Sequence, residues 1–307
     1  MVLVQFFHEL MSLKSLFLGL IFVLLWSSAF TSAKILVSNA PPLLILGLRF
    51  LLTGTIGIII NNLFFYKIKL SQLSFSNWIL IIIFGFCQNT VYLGLNFLAM
   101  TKIDAYLAVI IASLLPVFVS IIAFLIKKEK IHFFSLVGIM IGLFGCWIIL
   151  FPKITLDFNL FGISLCLIAV IALASATLII KDGLSEKKQI FPFVSIQMIV
   201  GGIPLFLISI IYEEWVIDFS NIFITAFIYT CLFPGLIATI IWFYLVKNIG
   251  AIMASSFHFL NPPAGVIIAY LILKEKITNL EVFGIILITV ALIIIHHGNQ
   301  KISKSKI

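Results

Sequence analysis

Few side chains in this chain of 307 residues could do chemistry, and their types favour recognition of a solute over catalysis. Arg49 is the only arginine, and a guanidinium in an apolar setting is a fork for a carboxylate or phosphate. Its plainer uses are reaching the headgroups or bonding to a neighbouring helix's carbonyls. Around it the sequence scatters uncharged hydrogen-bonding groups: Trp26, Ser27 and Ser28, then Gln88, Asn89, Tyr92 and Asn96, then Gln197, then His258 and Asn261. Gln88 and Tyr92 are four apart with Asn96 one turn further, and His258 and Asn261 are three apart, so each set shares a helical face. Amides, hydroxyls and a histidine of this kind can equally join helix to helix. As sets, the two faces favour a cavity. With Trp26, Tyr92, Phe257 and Trp242 at its edge, such a cavity suits a small zwitterion or anion with an apolar body, bulky amino acids foremost, with nucleoside-like solutes as the alternative.

Apolar helices must position these groups. The chain is 63% hydrophobic and 10% charged, and its mean hydropathy is +1.29. A soluble domain is about 45–50% apolar and about 25% charged. With 19 basic and 11 acidic residues the chain cannot coat a soluble surface. A soluble enzyme, a disulfide scaffold, a disordered chain and a DNA-binding domain are all excluded. The net charge of +8 lies in short groups between apolar runs, so no nucleic acid is expected as a partner. Cys87, Cys146, Cys166 and Cys231 fall inside apolar runs without metal-site spacing. Neither metal nor cofactor is expected.

About 20 apolar residues span a bilayer as a helix. Ten such stretches are expected, at 15–36, 42–64, 77–99, 104–126, 132–151, 159–180, 191–211, 219–246, 251–273 and 279–297. The fold expected is therefore an all-α integral membrane protein. Lysines gather in the segments on the side of the N-terminus, and the opposite loop with Glu213, Glu214 and Asp218 has none, which predicts both termini in the cytoplasm.

The two halves repeat each other. An offset of 146 lays Ala105, Leu114 and Pro116 on Ala251, Leu260 and Pro262, and Lys128-Glu129-Lys130-Ile131 on Lys274-Glu275-Lys276-Ile277. An offset of 147 lays Ser28-Ala29 and Lys34 on Ser175-Ala176 and Lys181. The organisation predicted is a short N-terminal segment at 1–14, five-helix repeats at 15–151 and 159–297, and a basic tail at 298–307. Five is odd, so the copies sit upside down to one another, the plan of secondary transporters that bind their solute near the midplane. Pro116 and Asn261-Pro262-Pro263 lie midway along matching helices, where a missing N–H permits bending. Pro116, Pro262 and Pro263 are thus hinge candidates, and Lys34 and Lys181, at matching helix ends, are gate candidates. Pro234-Gly235 and Gly201-Gly202 with Pro204 are lesser weak points of the same kind.

Trp26-Ser27-Ser28-Ala29-Phe30 with Lys34, Pro42 and Arg49-Phe50 resembles the opening of an EamA-type protein of the drug/metabolite transporter superfamily. So do Asn96-Phe97-Leu98-Ala99-Met100 through Ala105 and Pro116, and Trp242 to Lys276. Lys128-Glu129 and Lys274-Glu275 stand where Gly-Glu is commoner. The resemblance implies an inner-membrane carrier with a cavity between its halves, in a family with many exporters of amino acids and related metabolites. The partners expected are a small-molecule substrate and the lipid bilayer, with a homodimer left open.

Other classes fit less well. No nucleophile with a base, aspartate pair or His-Glu-x-x-His motif supports an intramembrane enzyme. A channel lacks its charged ring. A carrier of lipid-linked substrates in the same superfamily stays open. No carboxylate lies well inside a span, so proton coupling would fall to His258 or to the solute. Exchange or facilitated diffusion is the expected mode.

Overall fold

The computed structural model describes residues 13–64, 74–129, 131–153, 159–183, 190–268 and 277–304. Every regular element among them is helical, as a lipid-embedded chain requires, because a helix satisfies its own backbone. Ten helices among the described residues are long and apolar enough to cross a membrane. They are α1 (Leu13–Asn39), α2 (Pro42–Phe64), α3 (Phe75–Met100), α4 (Ala105–Lys127) and α5 (Phe133–Leu150) in the first half. The second half holds α6 (Leu160–Gly183), α7 (Ile190–Tyr212), α8 (Asn221–Ile249), α9 (Ala251–Ile268) and α10 (Asn279–Lys304). α10 continues as helix into the segment expected as a tail. Phe17, Phe124, Ile126, Leu207 and Ile211 face outward as a lipid-contacting surface. Successive spans alternate in direction; below, the near side is the one where α1 begins.

The inverted repeat is written into the packing. α2 and α7 cross at glycines, where a Cβ on Gly54 would lie 2.6 Å from Ser195 O and 3.1 Å from Ile199 N. A Cβ on Gly202 would lie 3.3 Å from both Gly47 O and Leu51 N. Between α2 and α7 the repeat runs at an offset of 148, which pairs Gly54 with Gly202, Gly47 with Ser195 and Leu51 with Ile199, so each half makes the other's contact. α5 and α10 do the same: a Cβ on Gly138 would lie 2.9 Å from Ala291 O, and one on Gly284 would lie 2.9 Å from Gly145 O. Such reciprocity is the signature of a two-fold axis, here relating two halves of one chain.

Four spans are irregular, again in matched pairs. α3 opens on the cap Ser74, whose hydroxyl accepts from Asn77 N, and α8 on Ser220, which accepts from Phe223 N. Both then pass into a π-helical segment, Phe86–Leu93 in α3 and Cys231–Ile237 in α8. α4 is interrupted at Ser113 and Leu114, and α9 by a 3₁₀ turn at Phe257–Leu260. After each break the helix restarts with proline in its first turn, Pro116 in α4 and Pro262 and Pro263 in α9. In that position proline forfeits no helical hydrogen bond. The break therefore precedes the prolines rather than sitting on them.

Candidate functional site

Between α1, α2, α3 and α8, at mid-depth and towards the far side, lies a narrow slot lined by Trp26, Arg49, Asn89, Tyr92 and Asn96. All five are solute-binding candidates by residue type, and the fold brings them together. Phe30, Phe50 and Phe97 add apolar walls. The slot has about 30 Å³ of space accessible to water centres, room for about two waters. In this conformation it is closed down to less than the volume of a metabolite.

Arg49 is 4% exposed. Its Nε donates to Thr230 O on α8 at 3.1 Å, and its guanidinium carbon lies 5.2 Å from the centre of the Phe50 ring. Trp26 and Tyr92 are parallel, with centroids 6.4 Å apart and planes 6° from one another. Asn96 Nδ2 donates to Tyr92 O at 2.7 Å, and Cys166 Sγ donates to its Oδ1 at 3.5 Å. Asn89 Nδ2 donates to Gln197 Oε1 at 2.6 Å and to Gln197 O at 3.1 Å. Gln197 is the repeat mate of Arg49. On both α2 and α7, then, one polar side chain meets the irregular span of the opposite half. Gln197 does so at Asn89 within the π-helical segment of α3, and Arg49 at Thr230 on the threshold of that of α8.

The near side of the slot is plugged by rings. Phe22 packs on Trp26 and on Trp242, each at 5.1 Å, and His258 meets Phe22, Trp26 and Trp242 at 5.3–5.8 Å. Ser27 Oγ donates to Asn261 Oδ1 at 3.1 Å, and Asn261 Nδ2 pairs with His258 Nδ1 at 3.3 Å, joining α1 to α9. Trp242, His258 and Asn261 thus belong to the plug rather than to the slot lining, while Trp26 serves both. A second ring cluster, Phe84 with Phe193 and Phe243 at 4.8–5.8 Å, closes α3 against α7 and α8. Seven buried side-chain atoms have no hydrogen-bond partner among the described residues. Ser120 Oγ in α4 and Ser135 Oγ in α5 lie elsewhere, but Gln88 Oε1, Asn89 Oδ1, Gln197 Nε2, Trp242 Nε1 and His258 Nε2 lie in or beside slot and plug, where a polar solute or water would satisfy them.

Other predicted residues stand elsewhere. Ser28 faces the opposite side of α1, towards a groove of about 610 Å³ among α1, α8 and α9, with its Oγ 2.6 Å from Tyr229 OH. Gln88 is buried in the π-helical segment of α3 but does not line the slot. Lys34 Nζ donates to Met100 O at 2.8 Å and Ile103 O at 3.0 Å, and lies 4.0 Å from Asp104. It ties α1 to the carbonyl end of α3, where a cation is favoured. Lys181 is in α6, and its side chain lies outside the described residues. Sequence reasoning missed Phe22, Phe84, Thr53 and the bonding of Glu213, whose carboxylate accepts from Leu43 N and Leu44 N at the start of α2. None of these left a local signal: Glu213 is 170 positions from Leu43, and only the fold sets its loop at the N-terminus of α2.

A duplicated five-helix unit around a midplane slot invites comparison with known carriers. The EamA-like transporter family matches residues 13–151 and 160–296, once in each half. A Buchnera aphidicola protein named an uncharacterized transporter in trpA 3'region is 29% identical, over 80% of this chain and 81% of its own. The Bacillus subtilis protein named uncharacterized transporter YoaV is 27% identical, over 88% and 93%. A crystal structure aligns over 92% of this chain and 96% of its own with a TM-score of 0.75 at 15% identity, which shows a shared fold. The twofold family match falls on the same two units that the reciprocal glycine contacts relate, so this chain belongs to the EamA-like transporter family of the drug/metabolite transporter superfamily and is a multi-pass membrane transporter.

Proposed function

We propose that the protein carries a small solute with an apolar body and an anionic or zwitterionic head, amino acids and close relatives foremost, by alternating access. The reading extends to export across the cytoplasmic membrane, with both termini in the cytoplasm. The observation that carries it is the make-up of the slot: the chain's one guanidinium set among aromatic faces and amides, away from bulk water. An anionic head pairs with a fork of N–H donors, while the body stacks on Trp26 and Tyr92. Closure of the near side by rings and the small volume of the slot fit a state between openings, from which either half can part.

The experiment is a thermal-shift screen of amino acids and metabolites on the purified protein, followed by flux in liposomes with the hits, since a ligand of the folded state raises its stability. Arg49→Gln is expected to depress uptake of a carboxylate far more than that of its uncharged analogue. Equal depression of both would remove the anion from the proposal. Flux that never saturates would remove the carrier and leave a channel.

A further inference from the structure

The guanidinium of Arg49 is held by a carbonyl that its own helix cannot serve in the usual way. Proline has no N–H, so Pro234 cannot donate to the carbonyl four residues before it, that of Thr230. Around Pro234 the chain of α8 winds in the wider register, with Ala238 N–H reaching back five residues to Phe233 O. In that register the donor left to Thr230 O within α8 is Gly235 N–H. Because a Cβ on Gly235 would lie 2.8 Å from that oxygen and 3.6 Å from Arg49 Nη2, glycine leaves an opening beside it for a second donor. Arg49 Nε enters this opening at 3.1 Å. One turn along α2, Thr53 Oγ1 does the same to Cys231 O at 3.3 Å. The hydroxyl of Thr230 is turned to Ala226 O within α8 and does not compete. Nε is the side donor of the fork, so its use leaves the terminal nitrogens for the slot that Arg49 lines.

We infer that Pro234 is a positioning residue for Arg49: by denying the Thr230 carbonyl its usual donor, it makes that oxygen an anchor for Nε and aims the terminal nitrogens into the slot. The other half lacks this device. Gln88 holds the place of Pro234 there, and the matching brace is the neutral pair of Asn89 and Gln197. The aiming rests on the anion-binding reading proposed above; the anchoring does not.

The test is a double-mutant cycle on the purified full-length protein. Pro234→Ala restores a backbone N–H able to serve Thr230 O. Arg49→Gln should then lower the melting temperature in the parent and by clearly less in the Pro234→Ala background; equal drops overturn the anchor. Should Arg49→Gln not be recovered folded, Arg49→Lys, which has no fork, takes its place in the cycle. The second arm uses L-phenylalanine and L-phenylalaninamide as probes. Pro234→Ala alone should weaken binding of the carboxylate roughly tenfold, the scale of one misdirected charge-assisted hydrogen bond, and leave the amide unchanged. Equal weakening overturns the aiming. A parent protein that does not prefer the carboxylate defeats the anion reading itself, and the cycle still decides the anchor.

Discussion

Asn89 and Gln197 meet as one buried amide pair between α3 and α7, with Asn89 Nδ2 donating to both the side chain and the backbone of Gln197. Removing one partner strands the other away from water, at a cost of about 1–3 kcal/mol. Gln197→Leu alone is therefore expected to destabilise the protein, measured as a loss of melting temperature in detergent. Asn89→Leu with Gln197→Leu should recover part of that loss, because no polar atom is then left stranded; additive losses would refute the pairing. At this scale residue type was informative and orientation was not. Trp26 and Ser28 are two positions apart, hence about 200° around a helix. Trp26 lines the slot while Ser28 faces the groove beside Tyr229. α1 is apolar all round, so no periodicity marked the inner face. Arg49 was legible as the chain's one fork, but not its anchor, because Thr230 is 181 positions away.

Helices are the next scale, and here the repeat made much of the fold readable. All ten spans, their order and the matched prolines follow from apolar length and from the offset between halves. The π-helical segments of α3 and α8 do not, since widening one turn alters hydrogen bonding without changing hydropathy. Nor did the prolines disclose that α4 and α9 break before them, at Ser113–Leu114 and Phe257–Leu260. In α9 the break carries His258, and Asn261 just beyond it holds α1 through Ser27. A bend at this point moves the plug. Pro262→Ala restores an N–H and favours a continuous helix across the break. Turnover in liposomes should fall several-fold with little change in apparent affinity, because the stiffened element is a moving part outside the slot lining. An unchanged rate would dismiss α9 as a hinge.

At the scale of the whole molecule, two halves with one architecture would place the near-open and far-open states at equal energy if their sequences were equal. They are unequal where it matters. Phe22 in the near-side plug corresponds to Ala169, Trp242 to Asn96, His258 to Ala112 and Phe84 to Thr230. At these four places large rings close the near side and small or polar residues stand on the far side, whereas Phe243 and Phe193 have the apolar mates Phe97 and Ile45. Burying one such ring contributes about 1.5–3 kcal/mol, and each 1.4 kcal/mol is about a factor of ten in a population. The near-closed state is thus favoured by the plug itself, without any solute. Phe22→Ala with Trp242→Ala should shift the balance towards the near-open state. A cysteine placed at Ala29, on the slot lining, reads this in a background free of the four native cysteines. In the parent it should react faster with an impermeant maleimide added on the far side. In the double variant reaction from the near side should rise at least tenfold while that from the far side falls. Equal rises on both sides would mean a loosened bundle rather than an exchanged gate, and the asymmetry of the rings would then have no bearing on which way the carrier rests.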